Sequence, residues 1–436
     1  MKKIILTLCA CATLATAQAQ VISLKECLER GLEKNYSIRI TRGQEEISRN
    51  NATLANAGYL PTIDLNGGYK LSNSSSDSKP ADGETVRQRN TLDHSANAGI
   101  GLNWTIFDGF NISTTYKQLK ELERMGQTNT RIAIEDFIAT LASEYYNFIQ
   151  QRIRLKNYFY AVKLSKERLR IVEERYHIGS FSRLDYQQAK VDFNADSAQY
   201  LKQQEVVITS RIALNELMAE EQVYTPLITL DSTITADMTL NFTDLWNNTL
   251  ANNAELLKAD QNSNLAKLDY KKVLSRNYPY LKLNAGYDYG YNKYEQSSYR
   301  TRNSWGWNGG VSIGMNLWNG NRRREKRNAK IEIANAQLQH QQLELALKAD
   351  LGNLWQAYQK NIELLNLEEQ NLISARENHE IATERYMLGD LSGFEMREAQ
   401  QSLLDAEERL LTAQYNTKIC EISLLQISGR ITKFLE

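Results

Sequence analysis

Four histidines, four cysteines and one short cationic run are the residues of this chain best suited to chemistry, and their spacing withholds most of it. A metal centre needs imidazole, thiolate or carboxylate groups at ligand spacing, such as two histidines one helical turn apart. His94, His177, His340 and His379 stand far apart, with no Cys or carboxylate grouping of that kind, and read as surface residues. No glycine-rich phosphate loop, P-loop or nucleophile elbow is read here. Gly99-Ile100-Gly101 falls inside an alternating strand run, where glycine relieves crowding. These patterns speak against an enzyme, and nothing in them asks for a cofactor.

The remaining reactive groups have simple readings. Cys27 and Cys420 each fall on a predicted helix; an oxidising compartment permits a bond between them, but two separate small hydrophobes is the preferred reading. Arg322, Arg323, Arg324, Lys326 and Arg327 crowd one helix start, either as a solvated face or in contact with lipid phosphates. Ser182 and Ser392 are placed to cap helices, and Glu395 and Glu398 sit in a first helical turn, where negative charge suits the dipole. Lys+Arg 52 equals Asp+Glu 52, which gives no reason to expect a nucleic-acid partner.

The elements that position these residues are written twice. Pro61-Thr-Ile-Asp-Leu65-Asn66-Gly-Gly68-Tyr69 and Pro279-Tyr-Leu-Lys-Leu283-Asn284-Ala-Gly286-Tyr287 share Leu, Asn, Gly and Tyr at one constant offset. Each proline ends a helical run and opens a period-2 run, a helix-to-strand switch. Ile100-Gly-Leu-Asn103 matches Ile313-Gly-Met-Asn316, and Glu174-Arg-Tyr176-x-x-Gly179-x-x-Ser182-x-x-Asp185 matches Glu384-Arg-Tyr386-x-x-Gly389-x-x-Ser392-x-x-Glu395. Leu24, Cys27, Leu28 and Asn35 correspond likewise to Phe242, Leu245, Trp246 and Asn253. The 436 residues therefore divide into an export leader over 1–19, a first repeat over 20–219, a linker over 220–241 and a second repeat over 242–436. Met1-Lys2-Lys3, apolar Ile4 to Ala17, and Ala17-Gln-Ala19 form the leader. An alternative takes Leu8-Cys-Ala-Cys11 as a lipobox with Cys11 acylated.

Strands are expected over about 61–72, 92–107, 279–292 and 303–318. Ala96, Ala98, Ile100, Leu102, Trp104 and Ile106 occupy one face of the second, against Asn97, Gly99, Gly101, Asn103 and Thr105. A soluble half-buried strand would alternate in the same way. Run lengths of about ten residues, Tyr and Trp near the run ends, and polar stretches expected as loops over Asn73–Asn90 and roughly Asn292–Asn303 favour a lipid-facing sheet. Backbone groups in lipid must all be paired, so the sheet must close, and the smallest such barrels have about eight strands. Four strands cannot close alone. Several copies must share one barrel.

From Phe110 to about Ile178 and from Asn321 to about Leu388 the chain lacks proline and reads as two long helices. Leu343, Leu347, Leu351, Leu354, Tyr358 and Leu365 keep the near-3.5 spacing of a coiled-coil seam. Gly179 and Gly389 end the rods.

With its paired Leu60-Pro61 and Tyr278-Pro279 switches, its Phe107-Asp-Gly109 and Trp318-Asn-Gly320 strand exits and its two Arg-Tyr-x-x-Gly-x-x-Ser tips, the chain resembles the TolC-like outer-membrane efflux proteins from about Leu24 to Ile427. The resemblance implies a mainly α fold with internally duplicated helical hairpins. It also implies a homotrimer whose three sets of four strands form a twelve-stranded barrel in the outer membrane of a Gram-negative bacterium, above a periplasmic α-helical tunnel. The partners implied are a periplasmic adaptor, an inner-membrane pump and outer-membrane lipid, and the cargo class is drugs or small toxic compounds. Type I protein secretion and, in another class, a structural coiled-coil adaptor stand as alternatives. By position, Tyr386 and Asp185 match residues that close the tip, Glu395 and Glu398 match acids that ring the aperture, and Gly179, Ser182, Leu184, Gly389 and Ser392 fall where an adaptor docks. Leu391 stands where some members carry a basic partner.

Overall fold

The computed structural model describes residues 20–295 and 299–435, so the leader over 1–19 and the Cys11 alternative lie outside the described residues. The chain runs β1 (Gln20–Ile22), α1 (Leu24–Lys34), α2 (Tyr36–Asn51), α3 (Leu54–Ala57), β2 (Thr62–Ser78), β3 (Val86–Asp108), α4 (Asn111–His177) and α5 (Arg183–Leu217). It crosses through β4 (Leu227–Thr229) and repeats the order as α6 (Phe242–Asn252), α7 (Ala254–Ser275), β5 (Tyr280–Lys293), β6 (Thr301–Gly314), α8 (Arg322–Leu388) and α9 (Gly393–Ile427). A 3-10 turn at Ile431–Leu435 follows. The duplication holds in the lengths: α4 and α8 each have 67 residues, and α5 and α9 each have 35. At ~1.5 Å per residue each of the longer two measures about 100 Å.

Two compact units share these elements. The first holds residues up to Arg42, Thr130–Leu256 and Glu344 onward. Its core gathers Leu28, Phe137, Leu141, Tyr145, Leu214 and Leu425, all buried. One device recurs in both repeats. The Asn35 side-chain amide donates to the Leu217 carbonyl at 3.0 Å, and Asn253 donates to the Ile427 carbonyl at 2.9 Å. Each asparagine thus satisfies an orphan carbonyl where its own repeat's returning helix ends. The side-chain oxygens start the next helices, accepting from Ser37 and Leu256 nitrogens. Along α8 the buried positions Leu351, Tyr358, Leu365 and Leu372 recur every seven residues, as the seam requires. His379, expected at the surface, takes the next seam place and is half-buried, because the period carries it inward. Cys27 and Cys420 are free, buried thiols. Burial pushes the Cys27 thiol up to about 12, so it packs as a neutral hydrophobe.

The second unit holds Gly43–Asn129 and Leu257–Leu343 and is built on one antiparallel sheet in the order β2-β3-β5-β6. Pro61 and Pro279 stand one residue before β2 and β5 and release the chain into the sheet. The register aligns the apolar faces of all four strands. Leu65 pairs with Ile100, Ile100 with Tyr287 and Tyr287 with Trp307, while Trp104 pairs with Leu283 and Leu283 with Val311. The opposite face is a mosaic of glycine and small polar residues, as in the row Asn66, Gly99, Asp288 and Gly306. Here polar side chains lean across neighbouring glycines: a Cβ at Gly99 would meet Asp288 Oδ1 at 2.1 Å, and one at Gly68 would meet Asn97 Oδ1 at 2.7 Å. Gly310-Val-Ser-Ile-Gly314 matches a nucleophile motif in letters, but it lies in extended β6 rather than a strand-to-helix turn.

The stretch Asn73–Asn90, expected as a loop, is mostly strand. Ser76, Asp77 and Ser78 pair with Gln88, Arg87 and Val86 beyond a bulge, and Arg89 contacts Asp77 at 3.0 Å. Serine and asparagine disfavour strands only weakly when a partner strand supplies the ladder. Likewise β5 and β6 extend to Lys293 and from Thr301, and β6 ends at Gly314 rather than near 318.

Candidate functional site

In the first unit, two tips end the helical hairpins with matching backbone chemistry. Gly179 and Gly389 adopt φ +80° and +89°, the left-handed cap that a residue with a Cβ resists. Each folds the last turn back, with Ser180 and Asp390 nitrogens donating to the Arg175 and Arg385 carbonyls at 2.9 Å. Three residues later the return helix starts on a capping box. The Ser182 hydroxyl accepts from Asp185 N at 3.2 Å, and Asp185 Oδ2 accepts from Ser182 N at 3.0 Å. Ser392 and Glu395 repeat both bonds at the same distances. The Ser392 bonds hold the Glu395 carboxyl below the usual carboxylate range. Glu395 therefore serves its own helix, one turn before the exposed Glu398.

Between the tips lies a cleft of about 770 Å³, lined by Phe181, Leu184, Asp185, Gln188, Tyr386 and Phe394 among others. Tyr386 and Asp185 are thereby brought together, although no hydrogen bond joins them. The Asp185 carboxylate is held in its cap, and the Tyr386 hydroxyl is buried without a hydrogen-bond partner. Burial raises the Tyr386 pKa, against the pull of Arg168 and Arg175, so the phenol stays neutral. Arg175 fills the place beside it: its guanidinium carbon lies 5.7 Å from the Tyr386 ring centre and 5.2 Å from that of Phe181, and it donates to the Met387 carbonyl at 3.0 Å. Cation–π contact of this kind joins α4 to the second tip.

Arg168, Asp192 and Arg397 also line the cleft and belong to a charge cluster that sequence reading missed. Arg168 donates to Asp192, and Arg397 grips Asp196 with two bonds of 2.7 Å. Arg168, Asp192 and Asp196 are buried or nearly so. Arg168 lies beside the seam position Leu169 rather than on it, and no spacing in the sequence signals the cluster. Leu184 and Phe394, at equivalent places on the two return helices, are instead 76% and 79% exposed.

His379 gives the tip region a pH dependence. Burial lowers its pKa below the ordinary value near 6.5, and its Nε2 is enclosed without a hydrogen-bond partner. A depressed pKa means the unfolded chain takes the proton first, so stability is full above about 6.5 and falls as the pH drops toward the folded pKa. His379→Leu is expected to remove this slope. Melting curves for both proteins between about pH 7 and pH 5 should converge at high pH and part at low pH; parallel curves would contradict the assignment.

In the second unit, the sheet offers an apolar face fit for lipid and a polar face fit for water. No helix is long and apolar enough to cross a membrane among the described residues, and no group of His, Cys, Asp and Glu there could hold a metal. The family model for outer membrane efflux proteins matches residues 27–220 and again 245–430. Outer membrane protein TolC of Vibrio cholerae serotype O1 is 23% identical over 450 residues, covering 99% of this chain and 97% of its own. Among solved structures, VceC of Vibrio cholerae superposes with TM-score 0.74 at 16% identity, over 93% of this chain and 96% of that one. The CmeC outer membrane channel of Campylobacter jejuni gives TM-score 0.77 at 15% identity, over 93% and 85%. Two matched halves, each with a strand pair and a capped helical hairpin, place this chain in the family of outer membrane efflux proteins, channels of the Gram-negative outer membrane.

Proposed function

We propose that three copies of this chain close one twelve-stranded barrel and form an exit duct for drugs or other small toxic compounds. The observation that carries this reading is the sheet itself. Its apolar face runs unbroken across four strands, while β2 and β6 are each paired on one side only. Open edges do not persist in hydrocarbon, so each edge takes its partner from a neighbouring copy. Each copy supplies the repeats over 20–219 and 242–436, joined by 220–241, and residues 1–19 direct export. A chain with two hairpins and a lipid-facing sheet suits the duct better than a one-hairpin periplasmic adaptor.

Energy for transport comes from an inner-membrane pump reached through a periplasmic adaptor. The adaptor docks on the tips, where Leu184 and Phe394 stand exposed beside Gly179, Ser182, Gly389 and Ser392. Tyr386 and Asp185 contribute to closing the tip through the cleft they share, with Arg175 stacked on the Tyr386 ring. Glu395 and Glu398 line the aperture, so the trimer presents six carboxylates to passing ions, an arrangement that favours cations.

The test separates this charge from the cap. Glutamine serves as well as glutamate at the third position of a capping box, so Glu395→Gln with Glu398→Gln keeps the tip folded and removes only the ring charge. Reversal potentials of the reconstituted protein in planar bilayers should shift toward non-selectivity. Unchanged cation preference would leave Glu395 as a helix cap and Glu398 as a solvated surface acid, and nothing more.

A further inference from the structure

The start of α8 carries a cationic collar that the fold does not require. Arg322, Arg323, Arg324, Lys326 and Arg327 occupy five of its first six positions. Helix starts repel positive charge, since the dipole is already positive there. The first repeat shows that the place can be filled otherwise: Asn111–Tyr116, its counterpart at the start of α4, has no charge and is capped by Asp108, which accepts from Ile112 N at 2.9 Å. In the second repeat the one acid, Glu325, pairs with Arg276 at 2.8 Å. Arg323, Arg324, Lys326 and Arg327 are exposed and make no ion pair or side-chain hydrogen bond among the described residues.

Position supplies the second observation. Leu317 and Trp318, just past the end of β6, are 87% and 85% exposed, and Phe110 and Tyr278 at neighbouring strand ends are also exposed. Phe110 and Tyr278 rings meet edge to face at 5.9 Å, forming part of an aromatic girdle. Such residues mark where hydrocarbon gives way to headgroups. The collar begins four residues beyond Trp318 and spans about 9 Å of helix, close to the roughly 5–7 Å depth of one headgroup layer. Arg322 with Lys326, Arg323 with Arg327, and Arg324 lie on three different helix faces, so at least one cationic face is turned outward whatever the helix's rotation.

We propose that this collar binds the phosphates of anionic glycerophospholipids in the periplasmic leaflet of the outer membrane and selects them over zwitterionic lipids. The inference rests on the outer-membrane location and not on the trimer, so its failure leaves the duct reading intact. The probe is the detergent-purified full chain, given equal amounts of phosphatidylglycerol and phosphatidylcholine with matched acyl chains, with bound lipid counted by native mass spectrometry. Phosphatidylglycerol should be favoured roughly fivefold to thirtyfold, as one or two outward cations at about 1 kcal/mol each imply. Arg322→Gln, Arg323→Gln, Arg324→Gln, Lys326→Gln and Arg327→Gln together should bring the ratio close to one, whereas lysine at the four arginine positions should keep it. Arg87→Gln with Arg302→Gln, at the far end of the strands, should change nothing. An assembled glutamine variant that still prefers phosphatidylglycerol would overturn the proposal. Should that variant not assemble, the wild type decides: its preference must collapse between about 30 mM and about 500 mM salt, and a salt-insensitive ratio overturns the proposal. Displacement of phosphatidylglycerol by inorganic phosphate, beyond a chloride control of equal ionic strength, would mark a general anion site and equally defeat it.

Discussion

Val311→Arg is expected to keep the protein out of the outer membrane, while Gly306→Arg, five residues away on the same strand, leaves it assembled. The two positions face opposite sides of the sheet. Val311 pairs with Leu283, which pairs with Trp104, so its side chain belongs to the apolar face. Arginine near the bilayer midplane of a barrel costs about 2–4 kcal/mol, and the proposed three-copy barrel would carry that cost three times. Gly306 pairs with Asp288 on the polar face, and a Cβ there meets nothing within 4 Å. A side chain at that position reaches water. The comparison is read as the fraction of detergent-resistant oligomer in isolated outer membranes. Normal assembly of Val311→Arg would mean that the apolar face meets protein rather than lipid, and the shared barrel would go with it.

How much of this could be read beforehand depends on how local each signal is. Pro61 and Pro279, the alternation from Ala96 to Ile106, and Gly179 and Gly389 act on their immediate neighbours, so types and spacing alone placed them. The Asn73–Asn90 stretch misled because its serines and asparagines are turn formers in isolation, whereas strand pairing there is imposed by the partner across the hairpin. His379 misled in the opposite sense: a polar residue was assigned outward by type although its place in the seven-residue period is inward. The Arg397–Asp196 pair was out of reach for a third reason. Its members lie 201 residues apart, and heptad spacing says which face of a helix is buried but not which charge waits on the helix opposite.

That pair is expected to govern how firmly the two hairpins hold together. Asp196 is buried on α5 and neutralises Arg397 of α9 through two bonds, while the neighbouring Arg168 of α4 is matched by Asp192. The two guanidiniums feel one another, since Arg397 acts to lower the Arg168 pKa. Asp196→Ala leaves two largely enclosed cations with one carboxylate between them. Removing one partner of a buried ion pair costs about 3–5 kcal/mol, and the lower end applies because Arg397 keeps some solvent contact. Melting of the reconstituted protein should fall accordingly, and its resting conductance should rise as the second hairpin loosens from the first. Desolvation, rather than loss of attraction, is the source of that cost, so Asp196→Leu combined with Arg397→Met should recover most of the stability. If the double variant were as unstable as Asp196→Ala, shape at the seam rather than stranded charge would be the cause. If both variants conducted like the wild type, the hairpins would be held at rest by contacts elsewhere along the seam, beyond these four charges.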